Sequence, residues 1–240
     1  MFELYQKCIR RQGVKPLIFD EIESLRKQLK GNSKTITYKD FGASATSSGA
    51  EKKTSISTLA RRHLKPPRLA QILFRILEKY KYKNKIELGT SLGITSSYLA
   101  AANTQESQKL ITIEACQDVM EIALQNFSAL RLSSKIESLE GTFDEVLPHV
   151  LNQMDTLDFL FVDGNHSYEA TLRYFELCLP KANNNSVFVF DDIYWSQGMT
   201  KAWEEIKNHP QVTVSVDLFF IGLIYFRKEQ VKQNFKLRVF

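Results

Sequence analysis

From Arg68 onward the apolar residues alternate between two rhythms. Leu69, Ile72, Leu73, Ile76 and Leu77 share one face of a helix that ends near Tyr80, at the spacing of an amphipathic helix packed on a core. A short strand, Lys85–Leu88, follows, and a helix opens at Ile94. The succession then repeats, with strands at Lys109–Glu114, Lys135–Leu139, Leu157–Val162 and Ser186–Phe190. Helices at Cys116–Leu130, Phe143–Leu151, Tyr168–Leu179 and Met199–Asn208 come between and after them. Strands alternating with helices of this length predict an α/β fold, a parallel sheet with helices on both faces. Val212–Val216 and Phe220–Phe226 break the alternation. With no helix between them they predict a closing hairpin, since a parallel return needs a longer crossover.

Residues 1–65 stand apart from this pattern. Ile22, Leu25 and Leu29 recur at helical spacing within Phe19–Lys30, and Gly31-Asn32 stops that helix. Tyr38–Gly49 is rich in small residues and predicts a long loop, a lid or a linker. Tyr38 and Phe41 would either cover a ligand or anchor the segment to the core. A helix over Ile56–His63 and the pair Pro66-Pro67 close the segment. The expected division is a mainly helical N-terminal arm, residues 1–65, before one domain over residues 66–240.

Composition narrows this picture only slightly. Hydrophobic residues at 43% and charged residues at 25% are ordinary for a soluble globular protein. No apolar run approaches the roughly 20 residues of a membrane helix, and the N-terminus lacks the apolar core of a secretory signal. Cys8, Cys116 and Cys178 are too scattered for a metal site or disulfide framework, and fit reduced thiols in a cytoplasm. The net charge of +5 gathers in Arg61–Lys65 and Lys79–Lys85 and invites a nucleic-acid partner. No nucleic-acid module accompanies it. The second cluster reads equally as the solvated end of a helix, where cations suit the macrodipole.

The candidate chemistry lies just after the strands, where ligands of open α/β sheets gather. The first strand runs through Glu87 into Gly89-Thr90-Ser91-Leu92-Gly93 and then a helix. The two glycines permit a tight turn and close approach of a ligand. The spacing is not the G-x-G-x-x-G of a dinucleotide site. Glu87 suits the ammonium group of an amino-acid-bearing nucleoside such as S-adenosylmethionine. Glu114, after the second strand, suits a pair of ribose hydroxyls, or is a carboxylate at a helix N-terminus. Asp163 after the fourth strand and Asp191-Asp192 after the fifth put three carboxylates at one cleft. Unpaired, they would repel each other, and a divalent cation held by oxygens would remove the conflict.

Glu87-Leu88-Gly89-Thr90-Ser91-Leu92-Gly93-Ile94-Thr95 resembles the first motif of class I S-adenosylmethionine-dependent methyltransferases, most closely the catechol-type O-methyltransferases. The resemblance spans about residues 66–228. It implies a Rossmann-like sheet of seven strands, the last antiparallel, and S-adenosylmethionine as methyl donor. Glu87, Gly89, Thr90, Ser91, Gly93 and Glu114 would bind the donor. Gly141 and Thr142, at a segment resembling the one that lines the adenine, would join them, although Thr142 or Asp144 would equally serve as a helix cap. Asp163, Asp191 and Asp192 match positions that hold magnesium in the catechol-type enzymes, where metal lowers the pKa of the acceptor hydroxyl.

His166, in Asp163-Gly164-Asn165-His166, resembles the general base of metal-dependent sugar O-methyltransferases; the alternative is a cap for the helix that begins near Ser167. Asn165 stands where related enzymes can carry an aspartate. Without metal, Asp163 would orient donor or acceptor, and Asp191 and Asp192 would cap the next segment. Tyr194 and Trp195 either wall the pocket or pack on the following helix.

The expected activity is methyl transfer to a hydroxyl of a small molecule or sugar, with no membrane or nucleic-acid partner and with the arm as lid or homodimer contact. The rival readings are a nicotinamide oxidoreductase, a non-catalytic nucleoside-binding module and an RNA methyltransferase.

Overall fold

The computed structural model describes residues 2–10, 15–39, 51–102 and 108–239. A short helix, α1 (Phe2–Leu4), runs on as a π-helical turn to Ile9. The arm continues with α2 (Ile18–Gly31), β1 (Thr35–Lys39), β2 (Glu51–Ser55) and α3 (Ile56–His63). The alternating part starts with α4 (Pro67–Tyr80), β3 (Lys85–Leu88), α5 (Ile94–Ala101), β4 (Leu110–Glu114), α6 (Gln117–Ala129) and β5 (Ile136–Glu140). It goes on through α7 (Phe143–Asn152), β6 (Leu157–Val162), α8 (Tyr168–Cys178), β7 (Ala182–Asp191) and α9 (Gln197–Asn208). Three further strands follow: β8 (Val214–Asp217), β9 (Ile221–Tyr225) and β10 (Gln233–Lys236).

The main sheet has the order β10-β8-β9-β7-β6-β3-β4-β5. β3 to β7 are parallel, while β9 lies antiparallel between β7 and β8. The chain leaves β3 for β4 on one side and returns beside β3 as β6 on the other. The order reverses there, and in open α/β sheets the ligand crevice forms outside the carboxyl ends of the strands at that point. Period-2 alternation covers both faces. In β6, Phe159 and Phe161 join the core under α4, α5, α6 and the arm, while Leu160 and Val162 join the core under α7, α8 and α9.

One expectation needs correction and another an addition. The main sheet has eight strands among the described residues, not seven, because β10 pairs with the outer edge of β8. Gln233-Asn234-Phe235-Lys236 is largely exposed and carries little apolar signal, so its pairing is invisible to periodicity. The arm is mainly helical among its described residues, but it also holds a hairpin: β1 and β2 pair antiparallel, from Thr35 opposite Ser55 to Lys39 opposite Glu51. Thr35-Ile36-Thr37-Tyr38 has the β-branched and aromatic residues that suit a strand, whereas Glu51-Lys52-Lys53 is polar and exposed. Tyr38 therefore lies in β1, with its ring 6.1 Å from that of His63. Phe41 and the rest of the expected loop to Gly49 lie outside the described residues.

Candidate active site

The first half of the crevice is built on β3 and β4. Gly89 has φ 104° and Gly93 φ 76°, and a side chain at either would collide with its surroundings. A Cβ on Gly89 would stand 2.2 Å from the Asp163 carbonyl oxygen, and one on Gly93 would stand 2.5 Å from the Phe127 ring. Only glycine allows the loop to turn here while the end of β6 packs against it.

Beneath the loop runs a buried polar chain. The Thr90 and Thr112 hydroxyls lie 2.6 Å apart, and Thr112 donates to Glu87 Oε2 at 2.8 Å. Glu87 is fully buried, and its Oε1 lacks a full hydrogen bond. Burial pushes its carboxyl up to about 7, against the tempering of the Ser96 and Thr112 hydroxyls. Glu114 Oε2 accepts from the Ser91 N–H at 2.9 Å and Oε1 from the Cys116 N–H at 3.0 Å. It thus fastens the loop to the start of α6, and each oxygen keeps a lone pair for a hydroxyl. Gly141 donates its N–H to the Glu114 carbonyl. Thr142 caps α7 in a capping box with Glu145, and Asp144 forms a two-bond pair with Arg173. The capping role weighed for Thr142 is therefore the one its side chain performs.

The second half is built on the ends of β6 and β7. The Asp163 N–H bonds the Leu88 carbonyl at 2.8 Å, which brings its side chain beside that of Asp191, the last residue of β7. Three non-glycine residues of the crevice hold left-handed backbone: Ser91 (φ 49°), Asn165 (φ 49°) and Asp192 (φ 52°). Strained backbone of this kind clusters where side chains must be aimed at a ligand. His166 Nε2 lies 3.9 Å from Asp163 Oδ1 and 4.0 Å from Asp192 Oδ2, too far for hydrogen bonds. Burial lowers its pKa, partly offset by Asp191 and Asp192, which favours the neutral ring. The helix that follows is capped by Ser167, whose hydroxyl accepts from the Ala170 N–H, and α9 is capped by Ser196. Neither His166 nor Asp191 and Asp192 serve as caps.

The residue the sequence did not single out is Lys65, at the junction of arm and domain. Its ammonium pairs closely with Asp191 Oδ2 and lies 3.3 Å from Asp163 Oδ2, with its side chain only 5% exposed. Pro66 restricts Lys65 to extended backbone, and the Lys65 carbonyl accepts from the buried Arg26 Nη1 at 2.7 Å. Arg26 in turn pairs with Glu23, which accepts from the Tyr98 hydroxyl of α5. Burial works against the Lys65 charge, but Asp163, Asp191 and Asp192 outweigh it and raise its pKa. Asp163 is pushed well above the ordinary range by burial and by Asp191, with Lys65 pulling it back. Asp192 is also raised, mainly by burial and Asp191.

The donor atoms for a cation are partly assembled. Asp163, His166 and Asp191 each offer one ligand atom, all within 4.8 Å of one another, while Asp192 stands further out and is 40% exposed. The donor set suits a divalent ion, but the Lys65 ammonium already engages Oδ2 of both Asp163 and Asp191 and brings a positive charge to the place where the cation would sit.

Aromatic side chains surround the mouth. Trp195 is 56% exposed with its ring 6.1 Å from that of His166. The Phe220 carbonyl accepts from the Asp192 N–H at 2.7 Å, and Phe219 and Phe220 are 57% and 40% exposed. Tyr194 bonds through its hydroxyl to Asp217.

The parallel strands, the antiparallel β9 inserted beside β7, and the glycine loop at the switch point define the class I methyltransferase fold. Residues 86–193 match the family model of a methyltransferase domain. An O-methyltransferase of Bacillus cereus, solved with S-adenosylhomocysteine, is similar in fold: TM-score 0.64 at 18% identity, over 92% of this chain and 96% of that one. An S-adenosylhomocysteine-bound methyltransferase of Podospora anserina gives TM-score 0.66 at 12% identity, over 95% of each chain. An O-methyltransferase of Streptomyces achromogenes involved in tomaymycin synthesis gives 0.61 at 20% identity, over 69% of this chain and 82% of that one. No curated protein matches the chain in sequence. No helix among the described residues is long and apolar enough to cross a membrane.

Proposed function

We propose that the protein transfers a methyl group from S-adenosylmethionine to a hydroxyl of a small molecule, with His166 as general base. The observation that carries this reading is the contact between the two halves of the crevice. Gly89, in the loop, and Asp163, three residues before His166, pack backbone to backbone, so donor loop and base share one wall. When bound, the donor supplies a sulfonium methyl group, whose carbon–sulfur bond breaks with its electron pair passing to sulfur as the acceptor oxygen bonds the carbon. Glu87 and Glu114 orient the donor's ammonium and ribose ends, with Gly89, Thr90, Ser91 and Gly93 shaping the loop around it and Gly141 and Thr142 beside the adenine. His166 takes the hydroxyl proton at Nε2, which has no bond to either nearby carboxylate. The exposed rings of Trp195, Phe219 and Phe220 favour an acceptor with an apolar or aromatic body over a nucleic acid. Three buried free cysteines suit a reducing compartment such as the cytoplasm.

A second reading, methyl transfer assisted by magnesium, is favoured by the Asp163–His166–Asp191 cluster and requires Lys65 to withdraw. The test of the main reading is turnover of labelled S-adenosylmethionine against a panel of phenols and sugars. His166→Ala should lower kcat by about 10²–10⁴-fold with donor affinity unchanged. Wild-type turnover in that variant would remove His166 from the mechanism.

A further inference from the structure

We infer that Lys65 takes the place of a divalent cation in this enzyme, so that the arm completes the acceptor half of the site and methyl transfer needs no metal. The inference rests on the methyltransferase reading and goes one step past it. Two carboxylates, Asp163 and Asp191, end adjacent parallel strands where a cation would bridge them. The bridging position holds an ammonium instead, almost fully buried and bonded or nearly so to both.

The placement is built. Arg26, 4% exposed, holds the Lys65 carbonyl, and Nζ rides 5.4 Å above the Phe161 ring, where cation–π attraction adds to the carboxylates' pull. Asp191 Oδ1 is buried without a partner, so the carboxylate has capacity that the single positive charge leaves unused. A fixed ammonium neutralises the pair as a metal would. It cannot act as a Lewis acid on the acceptor oxygen, which leaves proton removal to His166. Lys65 also lies outside residues 86–193, so this feature belongs to the arm rather than to the matched domain. In this sense Lys65 is a positioning residue.

The test is titration of the full-length protein with Mn²⁺, reading the free aquo ion by electron paramagnetic resonance. Wild type should leave Mn²⁺ free up to millimolar concentration. Lys65→Ala and Lys65→Met, the second keeping the chain over Phe161, should each gain a site at least ~100-fold tighter, lost again on adding Asp191→Asn. Tight Mn²⁺ binding by wild type, or folded Lys65 variants that gain none, would overturn the inference. If neither variant folds, acylation of wild type followed by mass spectrometry decides. Lys65 should stay unreactive with and without Mn²⁺, and reactivity induced by Mn²⁺ would mean that the metal displaces it. S-adenosylhomocysteine titrated into the same preparation separates the two levels: no binding there defeats the methyltransferase reading, whatever Mn²⁺ does.

Discussion

The two halves of the crevice are assembled in different ways. The donor half comes from one short stretch and its neighbour: Glu87, Gly89, Thr90, Ser91 and Gly93 follow one another, and Thr112 and Glu114 stand on the next strand. The acceptor half draws on three distant parts of the chain, Lys65 from the arm, Asp163 and His166 after β6, and Asp191 and Asp192 at the end of β7. The donor half balances a buried carboxylate with neutral hydroxyls and backbone N–H groups. The acceptor half balances two carboxylates with a cation brought from outside the domain. On the proposed reading, the donor half is encoded locally, whereas the acceptor half depends on how the arm docks.

The largest way to break this division is at the seam. Gly89→Ala would drive a Cβ into the Asp163 carbonyl at a backbone angle unsuited to alanine. It should cost on the order of 3–5 kcal/mol of stability and abolish donor binding, because both halves move. Chemical denaturation and donor titration would check both effects. A fully stable, donor-binding variant would mean that the two halves are not in contact.

A smaller effect probes the donor half alone. The Glu87 carboxyl is raised from 4.5 to about 7, so the folded state holds a proton that the unfolded chain releases. Its contribution is complete below pH 4.5 and is lost as pH rises through about 7. Without donor, wild type should lose up to about 3 kcal/mol between pH 5 and pH 8 from this group, and Glu87→Gln should be nearly flat by comparison. Equal slopes for the two proteins would show that Glu87 does not carry a buried proton.

This contrast also explains what the sequence could and could not reveal. The core strands and helices were legible because each carries its own period of apolar residues, and β3 and β6 fall at their expected bounds. The glycine loop, Glu114, Asp163 and His166 were legible because they stand next to such strands. Thr112 was hidden because a threonine inside a strand is ordinary, and only its hydrogen bond to Glu87 gives it a role. Lys65 was hidden beside Arg61-Arg62-His63-Leu64, in a cluster that reads only as part of the chain's basic excess. The available signal was the Pro66-Pro67 pair that ends α3's segment and turns the chain, but nothing in the sequence says which cation turns inward. β10 was hidden because an edge strand held by backbone bonds needs no apolar pattern.

The central claim is that the crevice over Gly89 and Glu114 binds S-adenosylmethionine. Its most direct test is calorimetric titration of S-adenosylhomocysteine into wild type and Glu114→Ala. Removing a carboxylate that fastens the loop and that the proposed binding mode sets against the ribose should weaken binding by about tenfold or more, roughly 1.4 kcal/mol per factor of ten. Saturable binding to wild type, weakened in the variant, is the result predicted here. No binding to wild type, or identical binding to both, would contradict it.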